Sequence, residues 1–470
     1  MRILLPTGAA TEAIVRAAAK DYDADVVVTG EIASFLTPAQ LQYLLMKKNY
    51  DMVIVSGMCT TSFRGIEEET GVPIYLGPRH AADLPFILPF LKEVELSRSI
   101  PADDFLVSKQ REEALKEVVR REQEADFDLL IRNVKIGGTS RIKVLAEIMD
   151  AHKQKNLRKK VEQFFAEGAD IVDLGFGFDA TPNDVHSCFL TLKGIEGPLA
   201  IDTHNPQLIE AGLFRADIVL SLNEDNISQI GYKIAESGTA AVIIPGRKTL
   251  EENIAAAETV GVTCIIADPL LLPVGSGLAS SIVRSSLLSY PLFFGAGNVV
   301  ELLDADSIGI NALLAGIAHE LSAAIIFSSE HSDKTQGSIA EMRRATEMMF
   351  LMGRRPYPKD LGIDLLVLKE KRRRREPPLV YSAAMKALRM PREIMYDPCG
   401  NFRIGIEEGE IVAVIKGRAV RGKHWADIFY TILTNGDVSL LDHAAYLGAE
   451  LFKAELAIRF NRSFEQDGPF

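Results

Sequence analysis

Between Asp128 and Glu330 eight apolar runs succeed one another: DLLIRNV, ADIVDLGFG, PLAIDTH, ADIVLSLN, AAVIIPG, CIIADP, PLFFGAGN and AAIIFSSE. Helix-like segments separate nearly all of them. Runs this continuous belong to strands buried on both faces, as in a parallel sheet whose crossovers are helices. Eight βα units over about 200 residues predict a central (β/α)8 TIM barrel, placed at residues 128–355. Such a barrel carries its chemistry on the face formed by the C-terminal ends of its strands. The polar residues at or just after the run ends are Asn133, Asp173, Asp202, Asn223, Arg247, Asp268, Asn298 and Glu330, so these are expected to converge.

The flanks read differently. RILLPTG, ADVVVTG, DMVIVSG and VPIYLG each end in glycine and alternate with helical stretches, which predicts a Rossmann-like α/β domain over residues 1–100. Gly8, Gly30 and Gly57 suit tight turns or close approach of a ligand, and no G-x-G-x-x-G follows a strand to support a dinucleotide site. Residues 101–127 mix charges of both signs at helical spacing, the pattern of a solvated connector helix. The basic run Lys371 to Arg375, followed by Pro377 and Pro378, could dock a polyanion but suits a solvated linker. In residues 379–470, FRIGIEEG and EIVAVIKGRAV meet at Glu408 and Gly409 as a hairpin would, and LLDHAAYLGAELFKAELAI is an amphipathic helix. A small C-terminal α+β domain follows.

A formal net charge of −12 works against a nucleic-acid footprint, which depends on clustered cations, and favours a small-molecule substrate. Cys59, Cys188, Cys264 and Cys399 lie far apart, offering neither a zinc site nor a disulfide framework. There is no apolar run long enough to span a bilayer, and MRILLPTG reads as a strand rather than a signal segment. A soluble cytoplasmic enzyme without a membrane partner is expected. His186, His204 and His331 lack the spacing of a helix-borne ligand pair, so no metal is expected.

Asp173, Asp202 and Asp268, with the amides Asn223 and Asn298, would form a ring richer in acceptors than in cations. A fused heterocycle bearing an aminopyrimidinone needs that inventory, because a carboxylate takes two N–H donors side by side and an amide both donates and accepts. The alternative for each residue singly is to cap the helix that follows.

The stretch EGADIVDLGFGFDATPNDV, followed by GPLAIDTHNPQLIEAGLFRADIVLSLNEDN, is similar to the second to fourth strands of pterin-binding barrels. The three-part layout resembles the archaeal dihydropteroate synthase-related proteins, relatives of dihydropteroate synthases and of tetrahydropterin methyltransferases. The resemblance implies that Asp202, Asn223 and Asp268 contact a reduced pterin, with Asp173 beside them and Thr203 supporting Asp202. FDATP, DPLLLPVGSG and GAGNV stand where dihydropteroate synthases carry the Arg and Arg-Lys residues that hold a diphosphate, which argues against ordinary folate synthesis. GAGN instead resembles the Gly-x-x-Asn of the methyltransferases, which implies catalytic roles for Asn298 and Asp202. Arg141, Arg247 with Lys248, and Lys334 are candidates for a phosphate on a second substrate, and each equally suits a surface ion pair.

The implied function is a transferase of pteridine metabolism, acting in tetrahydromethanopterin biosynthesis or in methyl transfer from a tetrahydromethanopterin- or tetrahydrofolate-type cofactor. The implied partners are a second copy in a homodimer and a corrinoid protein, since DHAAYLGAELFKAEL around His443 resembles a segment of corrinoid-associated archaeal proteins; a lone His on such a helix also suits packing or the surface. Two alternatives stay open: a non-catalytic pterin carrier and a barrel enzyme acting on phosphosugars.

Overall fold

Four short strands open the chain: β1 (Ile3–Gly8), β2 (Ala24–Gly30), β3 (Met52–Val55) and β4 (Ile74–Leu76). They pair in parallel in the order β2-β1-β3-β4, the crossover topology of a Rossmann-like sheet. The structure is a computed structural model and describes residues 1–91, 95–286, 288–353, 357–359, 361–369, 379–388 and 395–470. The basic run Lys371 to Arg375 and its two prolines lie outside the described residues. A Cβ on Gly8 would stand 2.5 Å from the Glu31 carbonyl, and one on Gly57 would stand 2.5 Å from that of Gly77. Both glycines thus let neighbouring loops of the protein itself close in.

The helix Ala102–Glu124 leads to a hairpin of β5 (Leu129–Ile131) and β6 (Val134–Ile136), and then to the barrel. Its strands are β7 (Lys143–Ile148), β8 (Ile171–Gly175), β9 (Leu199–Asp202), β10 (Ile218–Leu222), β11 (Ala240–Ile243), β12 (Ile265–Ala267), β13 (Leu292–Phe294) and β14 (Ala323–Ser328). They close in sequence order, with β14 beside β7. The amphipathic helices between them bury their apolar stripes against the outer face of the strands. Leu145, Ile171, Ala200, Ile218, Ala240, Ile266 and Phe293 fill the lumen.

One expectation fails here. DLLIRNV is the hairpin and not the first barrel strand; that strand is KVLAEI, which begins further along the chain at Lys143. Arg132 and Asn133 form a two-residue turn in which Arg132 takes φ +52°, and a turn of this kind reverses a strand instead of feeding a helix. Ile131 and Ile136 pack into the lumen cluster, so the hairpin closes the N-terminal end of the barrel. Asn133 accordingly is not among the polar residues that converge at the barrel mouth.

Residues 379–470 form a separate unit. Its strands β15 (Arg403–Glu407), β16 (Glu410–Ile415) and β17 (Arg418–Gly422) are antiparallel. EIVAVIKGRAV is two strands rather than one, because Lys416 and Gly417 both adopt positive φ, as do Glu408 and Gly409 at the preceding turn. The helices Trp425–Thr434 and Leu441–Arg459 cover one face, burying Ile411, Ile432, Leu447 and Leu451.

Candidate functional site

The site follows from strand periodicity. Alternate strand residues share a face, so the residues two positions beyond the lumen-filling Leu145, Ile171, Ala200 and Ile266 also point inward. These are Glu147, Asp173, Asp202 and Asp268, four carboxylates at the C-terminal mouth of an otherwise apolar lumen. Glu147 lies opposite Asp173 across β7 and β8, and Asp202 lies opposite Gly175, two residues beyond Asp173, across β8 and β9. One oxygen from each of Glu147, Asp173 and Asp202 lies within 4.8 Å of the others.

Burial and mutual repulsion hold these acids against ionisation. Asp173 is 1% exposed and neither of its oxygens has a hydrogen-bond partner among the described residues. Burial, then the charges of Asp202 and Glu147, push its pKa well above the usual carboxylate range. Burial and the neighbouring Asp202 and Glu301 raise Glu147 to about 7. Burial raises Asp268 to about 7 against an opposing hydrogen bond from the Leu270 amide. Asp202 is raised as well, chiefly by burial, although the Ser221 hydroxyl offsets part of the shift. A site that keeps a buried carboxyl group such as that of Asp173 without a partner is satisfied by a ligand bringing N–H donors.

Asn223 is 7% exposed at the end of β10. Its Oδ1 accepts the Asp225 amide at 3.0 Å, a turn-capping bond that occupies the oxygen and leaves the amide nitrogen for another partner. Thr203 is buried beside Asp202, and its hydroxyl accepts the Asn205 amide at 3.4 Å. Asn298 sits inside the short helix Gly297–Val300 and does not cap it; its side chain is exposed. The Nδ2 of Asn298 would be 3.1 Å from a Cβ on Gly295, so the glycine leaves the amide room to lie over the end of β13.

One of the candidate cations is placed otherwise than the sequence suggests. Arg141 precedes β7 and lies at the opposite end of the barrel, because the true first strand begins after it. It is buried there, pairs with Asp170 at 2.5 Å and donates to Thr346 at 3.2 Å. Arg343 reaches the same Asp170 at 3.0 Å. Burial of Asp170 is outweighed by these two charges, which hold its carboxyl below the usual range. Arg247 is on the mouth side but exposed, paired with Asp225 and lying 3.5 Å from Glu224. Lys334 donates to the Leu303 carbonyl at 2.9 Å and pairs with Asp304 at 3.0 Å.

Glu147 is absent from the residues singled out by sequence. The signal was available in VLAEIMD, an apolar run ending in carboxylates, but assigning the first strand to DLLIRNV hid it.

Within the C-terminal unit, His443 Nδ1 lies 3.0 Å from the Asp397 carboxylate. Asp397 also accepts from the amides of Cys399, Ser439 and Leu440 and from the Ser439 hydroxyl. Against the cost of burial, these bonds hold its carboxyl far below the usual range. The ring of His443 is thereby fixed in orientation by a carboxylate partner, and is neither free on the surface nor packed only among apolar groups.

A family model described as PterinBD-DUF4346 matches residues 396–467. The uncharacterized protein MJ0107 of Methanocaldococcus jannaschii is 34% identical over 523 residues, spanning 99% of this chain and 98% of its own. Among solved structures, a dihydropteroate synthase from Thermus thermophilus aligns with a TM-score of 0.39 and 17% identity, over 46% of this chain and 96% of that one. A Yersinia pestis dihydropteroate synthase with a pterine-sulfa conjugate aligns at 0.39 and 15% identity, over 47% and 97%. No helix among the described residues is long and apolar enough to cross a membrane.

Proposed function

We propose, from the premise that the chain belongs to the archaeal dihydropteroate synthase-related family of pterin-binding barrel proteins, that its barrel mouth binds a reduced pterin and that the protein is a transferase acting on it. The observation that carries this reading is the set of inward carboxylates, Asp173 with two unpartnered oxygens above all. The pyrimidine edge of a pterin presents an amino group and a ring N–H side by side, and Asp202 and Asp268 are the acceptors to take them, with the amide nitrogen of Asn223 donating to the carbonyl. Asp173 and Thr203 line the same cup.

Transfer of a methyl group from N5 leaves negative charge on that nitrogen unless a proton or a hydrogen-bond donor meets it. Asn298, exposed at the end of β13, is the donor proposed for that position. Glu147 retains its proton up to about pH 7 and can supply it as the carbon–nitrogen bond breaks. The second substrate is the acceptor of the methyl group, and the resemblance around His443 suggests a corrinoid protein in that role. A homodimer is the proposed assembly, and a step of tetrahydromethanopterin biosynthesis is the other transferase role of the same site.

Methyl transfer is favoured over condensation with loss of diphosphate because Arg247 and Lys334 are already engaged by carboxylates, and Arg141 lies at the other end of the barrel. The same placement weighs against a phosphosugar substrate. Calorimetric titration with a tetrahydropterin, its N5-methyl form and a 6-hydroxymethyl-dihydropterin diphosphate tests the reading. Preference for the two tetrahydropterins supports it. Preference for the diphosphate would make the protein a synthase, and tight pterin binding without turnover by any methyl acceptor would make it a carrier.

A further inference from the structure

Loops beyond the C-terminal ends of β7 and β8 bring together three groups that the pterin reading does not use. Asp150 and His152 lie on the first loop and Asp179 on the second, and one ligand atom from each lies within 4.8 Å of the others. Gly177 makes this convergence possible, since a Cβ there would stand 2.8 Å from an Asp150 oxygen and 3.1 Å from one of Asp179. Lys153 already places an ammonium between the acids, 3.4 Å from Asp150 and 3.0 Å from Asp179. The lysine accounts for the two carboxylates. It does not account for His152.

The side chain of His152 is only 10% exposed, its ring stacks on Phe176 at 6.2 Å, and both ring nitrogens are buried without a hydrogen-bond partner among the described residues. Nε2 lies 3.4 Å from Asp179, yet the contact lacks hydrogen-bond geometry. An imidazole with two buried and idle nitrogens is rare, because one nitrogen must carry a proton with no acceptor and the other a lone pair with no donor. A Lewis acid beside two carboxylates satisfies that lone pair.

We infer that Asp150, His152 and Asp179 form a site for a divalent transition-metal ion of the Zn²⁺ class, with the Lys153 ammonium occupying the cation position when the ion is away. One nitrogen and two carboxylate ligands suit Zn²⁺ or Mn²⁺ better than Mg²⁺, which favours oxygen ligands and keeps its waters. Ligand atoms around such an ion stand about 3–3.5 Å apart, so a modest inward movement of the exposed Asp179 completes the set. Lys153 is half-exposed on a flexible stem and can swing into solvent. The site does not depend on the pterin reading, because none of its ligands belongs to the carboxylate cup.

Titration of the chelator-treated full chain with Zn²⁺, and in parallel with Mg²⁺, tests this. One equivalent of Zn²⁺ should bind, with Mg²⁺ at least tenfold weaker. His152→Ala and Asp179→Asn should each weaken Zn²⁺ at least tenfold, Lys153→Met should strengthen it by removing the competing ammonium, and Glu147→Gln should leave it unchanged. Asp179 is exposed, so that variant keeps its fold even if replacement of the buried histidine does not. Absence of stoichiometric Zn²⁺ binding, or binding undiminished in Asp179→Asn and His152→Ala, overturns the inference. Loss of binding in Glu147→Gln overturns it too, by moving the ion into the cup.

Discussion

Glu147 stands one strand period beyond Leu145, and that single step turns an apolar lumen into an acidic mouth. Its pKa of about 7 has a consequence for stability. An unfolded glutamate titrates near 4.3, so below about pH 4 both states hold the proton. As pH rises from there to 7 the unfolded chain releases its proton while the folded one keeps it, and stability falls by about 1.4 kcal/mol per pH unit for such a group. The loss levels off above the folded value. Asp268, raised to about 7 by burial, contributes in the same direction. Denaturation of the ligand-free protein should therefore show stability falling between about pH 4.5 and 7, and Glu147→Gln should flatten that slope by about one group's share. Parallel slopes in the two proteins would mean that Glu147 ionises normally in the folded chain.

At the scale of elements, the hairpin β5-β6 carries a prediction of its own because Ile136 is fully buried among the lumen residues. Ile136→Ala should destabilise the barrel by about 2–5 kcal/mol, read as a lower thermal midpoint, whereas a loss under about 1 kcal/mol would show that the hairpin does not close the lumen. The same hairpin marks the limit of what the sequence discloses. Seven of the eight apolar runs are barrel strands, since a doubly buried strand leaves a plain apolar signature. The first run fails because an apolar hairpin plugging a barrel is as apolar as a strand within it, and the distinguishing mark is the turn at Arg132 and Asn133. The consequence reaches the site, because Arg141 follows the first apolar run but precedes the first barrel strand, and Glu147 belongs to that strand. Asp173, Asp202 and Asp268 were legible because each ends an apolar run, but the unpaired state of Asp173 and the convergence of Asp150, His152 and Asp179 depend on loop conformation, which no local pattern encodes.

At the scale of the molecule, the two ends of the barrel do different work. The N-terminal end is closed by the hairpin and by paired charge: Arg141 and Arg343 on Asp170, and Lys143 on Glu122 at 2.9 Å. These charges are paired with one another, which is the signature of an end that stabilises. At the C-terminal end the inward Glu147, Asp173 and Asp268 have no cationic partner among the described residues and resist ionisation, which is the signature of an end awaiting a ligand. On the proposed function, the cost of holding these buried acids, Asp173 without a partner above all, is what a bound pterin would remove. The most direct measurement of that claim is calorimetric titration of the full chain and of Asp202→Asn with a tetrahydropterin, the replacement conserving volume while removing the carboxyl group. Binding by the parent weakened at least tenfold in the variant, about 1.4 kcal/mol or more, is the predicted result. Equal affinity in both, or no binding by the parent, would contradict the account.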